Sequence, residues 1–152
     1  MAKVLTGAEV NEVMGECRAN GEVSEYRDGP EYFWQMPSLL GSGYGRQIQL
    51  RPGLWLTVGD YQKRQAHVYQ GPHQPTMPLT LAFYLSGGMR VDNSGLTTTQ
   101  EEVAGKSYLY CLPDTFEVEE YPAAQHHCEI RIRILPELMP TLSDRVNELP
   151  IH

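Results

Sequence analysis

The chain has 152 residues, the length of about one domain, and is long enough to bury a substantial core. It carries 12 Lys and Arg against 19 Asp and Glu, a net charge of −7, and its only basic pair is Lys63-Arg64. That balance lacks the basic footprint of a nucleic-acid binder, no apolar run reaches the roughly 20 residues needed to span a bilayer, and residues 1–10 lack a signal peptide's apolar core.

Three cysteines, Cys17, Cys111 and Cys128, occur without a CxxC spacing, which suits a reducing compartment better than a disulfide framework. The expectations are a cytoplasmic protein with no membrane contact and no direct nucleic-acid binding by this chain.

The first element predicted is a helix. Thr6-Gly7-Ala8-Glu9 fits a capping box, with Leu5 and Val10 as a hydrophobic staple. Val10, Val13, Met14 and Cys17 form one apolar stripe, and Asn20-Gly21 is a stop signal. Residues 22–45 hold Gly, Pro and Ser with four clustered aromatics, Tyr26, Tyr32, Phe33 and Trp34. They read as an arm with one strand near Tyr32 to Met36.

From Arg46 the pattern is β. Arg46, Ile48 and Leu50 alternate with Gln47, Gln49 and Arg51, the period of a half-buried strand. Pro52-Gly53 is a turn signal, because Pro presets φ and Gly accepts a positive φ. Further strands are expected at 54–61, 64–69, 78–86, 96–102, 107–112, 115–121 and 127–135, separated by turn signals such as Gly71-Pro72, Gly87-Gly88, Asp92-Asn93 and Pro113-Asp114. Short strands at regular spacing argue a sandwich or barrel. Antiparallel jelly rolls of this size include the cupins.

The fold class is therefore all-β, a cupin-like double-stranded β-helix or jelly roll with a short N-terminal helix and a C-terminal helix. The expected organisation is helix and aromatic arm over 1–45, β-sandwich over 46–135 and helical exit over 136–152. Leu138, Leu142, Val146 and Leu149 share a face in that exit, which predicts a homodimer or a stripe folded back on the sandwich.

The chemistry-bearing residues argue against catalysis. His67 and His73 are six apart and cannot face inward as an i, i+2 pair, while His126 and His127 face opposite sides of a strand. Thr115-Phe116-Glu117 follow the Pro113-Asp114 corner, where metal cupins carry their last His. No metal site and no cofactor are expected. No Gly-x-Ser-x-Gly elbow occurs, and GSGYG is not followed by the helix that a dinucleotide fingerprint requires. Glu101, Glu102, Glu117, Glu119 and Glu120 read as solvated strand faces.

What remains is an aromatic-rich β pocket. Trp34, Trp55, Tyr61, Tyr69, Tyr84, Tyr108 and Tyr110 offer flat surface with polar tips, and Arg46, His67 and Arg131 are the candidate polar groups. The proposed ligand-binding set is Trp34, Arg46, Trp55, His67 and Tyr84, with the ligand between the sandwich and the aromatic arm at 26–34. Leu54, Leu56 and Val58, with Leu79, Leu81, Phe83 and Leu85, form the apolar set expected between the sheets. Trp55, Thr57 and Tyr84 lie on the other face.

The run LRPGLWLTVGDY at 50–61, followed by PLTLAFYLSG at 78–87 and IRIRILPELMPTL at 130–142, resembles the N-terminal sensor half of AraC-type transcription regulators. The subgroup it resembles is that of the pyochelin (siderophore) regulator. The resemblance covers roughly residues 40–145. It implies a jelly roll that binds a small-molecule effector, with a siderophore as the class the subgroup suggests, and no enzyme activity. The family's C-terminal half, two helix-turn-helix units, is absent from these 152 residues. A stand-alone cupin-type enzyme and a ligand-free interaction module are the alternatives.

Overall fold

The computed structural model describes residues 4–73, 78–96 and 98–140. A short strand β1 (Val4–Thr6) leads into helix α1 (Gly7–Ala19). The capping box forms as the sequence implies: Thr6 Oγ1 accepts from the Glu9 backbone N–H at 3.3 Å, and Glu9 Oε2 accepts from the Thr6 N–H at 2.8 Å. The helix ends at Asn20, and Gly21 takes the left-handed φ of 72° that favours glycine there. Its buried face, with Val10 at the centre, packs with Leu5 and Leu40 under Val13, Met14, Met36 and Tyr69.

Eleven strands follow: β2 (Glu25–Asp28), β3 (Glu31–Gln35), β4 (Gly41–Arg51), β5 (Leu54–Lys63), β6 (Ala66–Pro72), β7 (Leu79–Ser86), β8 (Gly88–Asn93), β9 (Gln100–Val103), β10 (Ser107–Tyr110), β11 (Phe116–Tyr121) and β12 (His126–Ile134). They form a five-stranded sheet, order β1-β6-β11-β8-β9, and a seven-stranded sheet, order β10-β7-β12-β5-β4-β3-β2. All neighbours pair antiparallel except β1 and β6. The aromatic segment is built into the larger sheet. Tyr26 lies opposite Phe33, and Trp34 opposite Gly45, so β2 and β3 extend it beyond β4.

The Arg51-Pro52-Gly53-Leu54 turn joins β4 to β5, with Gly53 at φ 82°. After β12 the Leu135 N–H donates to the Gly53 carbonyl at 2.8 Å, and Pro136–Leu138 form one 3-10 turn against that hairpin. Leu142, Val146 and Leu149 of the expected exit stripe lie outside the described residues.

One expectation is reversed. The apolar set Leu54, Leu56, Val58, Leu79, Leu81, Phe83 and Leu85 does not lie between the sheets. Phe83 and Leu85 are exposed, whereas Thr80, Ala82 and Tyr84 of the same strand are buried. The cluster between the sheets is Ala82, Tyr84, Met89, Val91 and Tyr121, flanked by Tyr69, Tyr108 and Tyr110. Strand alternation separates two faces but does not say which is inside. Here the inner face is the polar, aromatic one.

Candidate functional site

The space between the sheets is lined by charged groups held in place by strand parity. His127, Glu129 and Arg131 project from alternate positions of β12, between Cys128, Ile130 and Ile132 on the outer face. Arg131 Nε donates to Glu129 Oε2 at 2.8 Å, and its Nη2 donates to the Tyr84 hydroxyl at 3.1 Å. Tyr84 in turn donates to Glu102 Oε2 in a short hydrogen bond from the opposite sheet. The ion pair is deeply buried, its side chains 11% and 9% exposed. Burial pushes the Glu129 carboxyl up, but His127 and Arg131 beside it outweigh that and hold it at about 2. His127 Nε2 stands 3.4 Å from Glu129 Oε2, within ion-pair distance but without hydrogen-bond alignment.

Aromatic rings connect this network to the rest of the lumen. Trp34 meets Tyr61 at 6.4 Å between ring centroids, Tyr61 stacks on His127 at 5.0 Å, and His127 meets both Tyr84 and Tyr121 edge-on. At the far end, the Lys63 ammonium sits 3.0 Å from the Tyr121 ring centroid, 5.0 Å from that of Tyr69 and 5.4 Å from that of Tyr61. No carboxylate lies within ion-pair distance of it among the described residues. Burial lowers its pKa to about 7 despite the attraction of Glu119 and Glu129. His67 is buried beside it, and burial, with the Lys63 charge, pushes its pKa down to about 4. Its Nε2 has no hydrogen-bond partner.

A cavity of 420 Å³ opens in the lumen between β8, β9, β10 and β11, walled by Met89, Val91, Asn93, Glu102, Tyr108, Tyr110, Glu117 and Glu119 among others. Glu117 and Glu119 also line a 510 Å³ cavity beneath the start of α1, where His73 Nε2 pairs with Glu117 at 3.0 Å. Burial raises the pKa of both Glu102 and Glu119. A larger groove of 810 Å³ runs along the five-stranded sheet. Val4, Ala66, Val68, Arg90, Glu101 and Glu120 on its wall sit at the outward register positions, so it is an open surface feature and not the lumen. Among the described residues no group of three or more His, Cys, Asp or Glu is placed to hold a metal ion. No helix there is long and apolar enough to cross a membrane.

This jelly roll, whose polar lumen is bounded by β4 to β12, corresponds to a known domain: the family described as the regulatory protein PchR N-terminal domain matches residues 41–150. The chain belongs to that family. Among solved structures, the AraC-like transcriptional activator CuxR is similar over 88% of this chain and 47% of its own, at 14% identity and a TM-score of 0.53. The Schizosaccharomyces pombe Cnp3 cupin domain covers 87% of this chain and 80% of its own, at 8% identity and a TM-score of 0.46. An RmlC-like cupin from Shewanella frigidimarina covers 75% and 85%, at 12% identity and a TM-score of 0.45. No curated protein matches the sequence. The protein is thus a cupin-type jelly roll of the PchR N-terminal family.

Within this PchR-family domain the sequence-derived ligand residues fall on two sides. Trp34, Trp55, His67 and Tyr84 occupy inner-face positions. Trp34 covers Gly45 so closely that a Cβ there would lie 2.3 Å from the nearest indole atoms. Arg46 is on the outer face, opposite Val58 and Phe33, where its Nη2 donates to Glu31 Oε2 at 2.8 Å. Glu102, Glu117 and Glu119 read as solvated in the sequence, whereas they line the cavity. The available signal was their spacing of two on β11 and the adjacency of Glu101 and Glu102, which guarantees that one of the pair faces inward.

Proposed function

We propose that this domain is the effector-sensing half of an AraC-type transcription regulator and that the barrel lumen is its effector site. The observation that carries the reading is a built polar cavity inside a domain of the PchR N-terminal family. Pockets for small molecules are largely apolar and aromatic with a few placed polar groups, and the wall of Met89, Val91, Tyr108 and Tyr110 around Glu102 and Glu119 has that character. Binding would shift the population of two arrangements of the barrel and its exit segment in proportion to the ligand's differential affinity. Glu129, Arg131, Tyr84 and Glu102 are tied to one another, which suits recognition better than turnover. A regulator of this kind works in the cytoplasm.

The resemblance to the pyochelin regulator makes siderophores the first compounds to screen. Arg46 faces away from the lumen, so acidic ligand oxygens would be met there by His67 and Lys63. Trp34→Ala and Trp55→Ala are expected to weaken a true effector about tenfold or more, because each removes about 1–3 kcal/mol of aromatic contact. Arg46→Ala is expected to leave affinity unchanged. Titration followed by tryptophan fluorescence and calorimetry checks this; an effector indifferent to both tryptophans lies outside the inner-face pocket.

The acidic balance of the chain further leads us to expect no specific DNA binding by residues 1–152 alone. A gel shift at low salt that survives competitor DNA would count against the proposed division of labour.

We also propose a homodimer. The outer face of the seven-stranded sheet carries a continuous apolar surface from Ile48 through Val58 and Ile132 to Leu81, with Leu85 64% and Leu109 65% exposed. Apolar patches of this kind mark association surfaces. Leu138, Leu142, Val146 and Leu149 add a second one in the sequence. Light scattering is expected to give a dimer for the parent and a folded monomer for Leu142→Asp with Val146→Asp. Unfolding of that variant would instead place the stripe on its own sheet.

A further inference from the structure

We propose that the cavity between β8, β9, β10 and β11 is built for an organic cation: a primary ammonium or amidinium group carried on an aromatic or apolar body. The inference rests on the reading of the lumen as the effector site and names the chemical class that would occupy this part of it, whose wall includes neither His67 nor Lys63.

The polar groups on this wall are in acceptor excess. Asn93 is only 9% exposed, lines the cavity, and its Oδ1 has no hydrogen-bond partner. Glu102 accepts from Tyr84, and Glu119 accepts from Tyr121 at 3.3 Å, but neither has a cation within 4.0 Å among the described residues. Glu117 alone on the wall is ion-paired, to His73. A buried acceptor left without a donor carries the full desolvation cost of the group, and a buried carboxylate without a counter-charge carries more. A ligand bringing several N–H donors and one positive charge supplies donors to these acceptors and a counter-charge to one of the two carboxylates. An anionic ligand satisfies none of them.

The neighbouring cations do not reverse this. Arg131 is already engaged by Glu129 and Tyr84, and Lys63 is not on the cavity wall. A metal ion is disfavoured, because the described His, Cys, Asp and Glu nowhere gather in a metal-holding group of three or more.

The rest of the wall fits the body of such a ligand. Met89, Val91 and Leu96 are apolar, and Tyr108 and Tyr110 offer ring faces to a cation. Tyr108 is fixed in place: the Val103 N–H donates to its hydroxyl at 2.8 Å, and the hydroxyl donates to the Glu101 carbonyl at 3.1 Å. The volume of 420 Å³ lies within the usual range for small-molecule sites. Lys63, seated among three tyrosines, already shows an ammonium held by this lumen's aromatic rings.

The test uses three probes that share a ring and differ in the head group: 2-phenylethylamine, 2-phenylethanol and 3-phenylpropanoate. Calorimetry on the full chain is expected to rank the amine at least tenfold above the alcohol, and the carboxylate last. Glu119→Gln, which keeps shape and an acceptor but removes the charge, is expected to cost the amine tenfold or more and leave the alcohol unchanged. Asn93→Leu is expected to weaken the amine as well. Equal affinities, a preference for the carboxylate, absence of amine binding, or amine binding indifferent to Glu119→Gln overturns the proposal. Tyr110→Ala separates this failure from that of the lumen reading. If the carboxylate or a siderophore binds and is weakened by Tyr110→Ala, the lumen remains the site and only the cation assignment falls. If no ligand responds to Tyr110→Ala, both fall.

Discussion

Arg131→Met is expected to destabilise the domain by about 3–5 kcal/mol, the usual consequence of removing one partner of a buried ion pair. Among the described residues, Arg131 is the only side chain that both neutralises Glu129 and links it to Tyr84 and, through it, to the opposite sheet. In the variant, Glu129 remains buried between β5 and β7 with only His127 and the Tyr61 hydroxyl, 3.5 Å from its Oε1, beside it among the described residues. Its carboxyl, now held at about 2, must rise and take up a proton or remain charged without a strong partner. Natural domains are stable by only about 5–15 kcal/mol, so a loss of this size is a large fraction of the total.

The double variant Arg131→Met with Glu129→Leu should recover much of it, because replacing both members of a buried pair by apolar groups is often neutral or stabilising. Urea denaturation of parent, single and double variants gives the coupling energy directly. A single variant that loses less than about 1 kcal/mol, against the range given for such pairs, would show that the pair does not hold the two sheets together.

The parts of the fold legible in the sequence are those governed by local chemistry. The capping box at Thr6 and Glu9 and the Pro52-Gly53 turn each act over a few residues, and both form as the sequence implies. β8 was missed because Met89, Arg90 and Val91 stand between two turn signals and are too short to show a period. What makes them a strand is pairing with β9, the next strand, on one side and with the more distant β11 on the other. β3 coincides with the strand expected near Tyr32 to Met36, whereas β2 is hidden because Tyr26 gains its place only by pairing with Phe33 of β3.

The site was legible in composition but not in direction. The alternating Glu129, Ile130, Arg131, Ile132 run shows one charged and one apolar face, and hydrophobicity alone assigns the apolar face to the interior. In this barrel the charged face is inside: Arg131 bonds Glu129 and Tyr84 within its own sheet, and Tyr84 bonds Glu102 across the lumen. Arg46 fails by the same parity. It shares its face with Ile48 and lies opposite Val58, whereas Gly43 and Gly45 mark the inner face by their missing side chains. Gly45 leaves room for Trp34, which the sequence could have suggested: a glycine at alternate strand positions often marks a close approach.

Lys63→Met is expected to stabilise the domain by about 2–3 kcal/mol near neutral pH and below, and the gain should disappear as the pH rises toward 10.5. The side chain is 6% exposed, and burial lowers its pKa from 10.5 to about 7. At about 1.4 kcal/mol per pH unit, that drop sets an upper bound of roughly 4–5 kcal/mol on the cost of burying the charge. The ring contacts with Tyr121, Tyr69 and Tyr61 offset about 2 kcal/mol of it. They also move the lower edge of the titration upward.

The sign follows from proton counts. Below about pH 7 the amine is charged in both the folded and unfolded chain, so the whole penalty is present. Between about 7 and 10.5 the unfolded chain holds a proton that the folded chain has released, and the parent's stability rises with pH. Above that window both states are neutral and the contribution is constant. Methionine fills nearly the same space without a charge, so the parent-minus-variant difference isolates this one group from the tyrosines, which titrate at the alkaline end. Urea midpoints at pH 6, 8 and 10 measure it. A difference that is flat with pH would mean that the ammonium is not buried, and a destabilised variant at pH 6 would mean that the three rings hold the charge more strongly than burial opposes it.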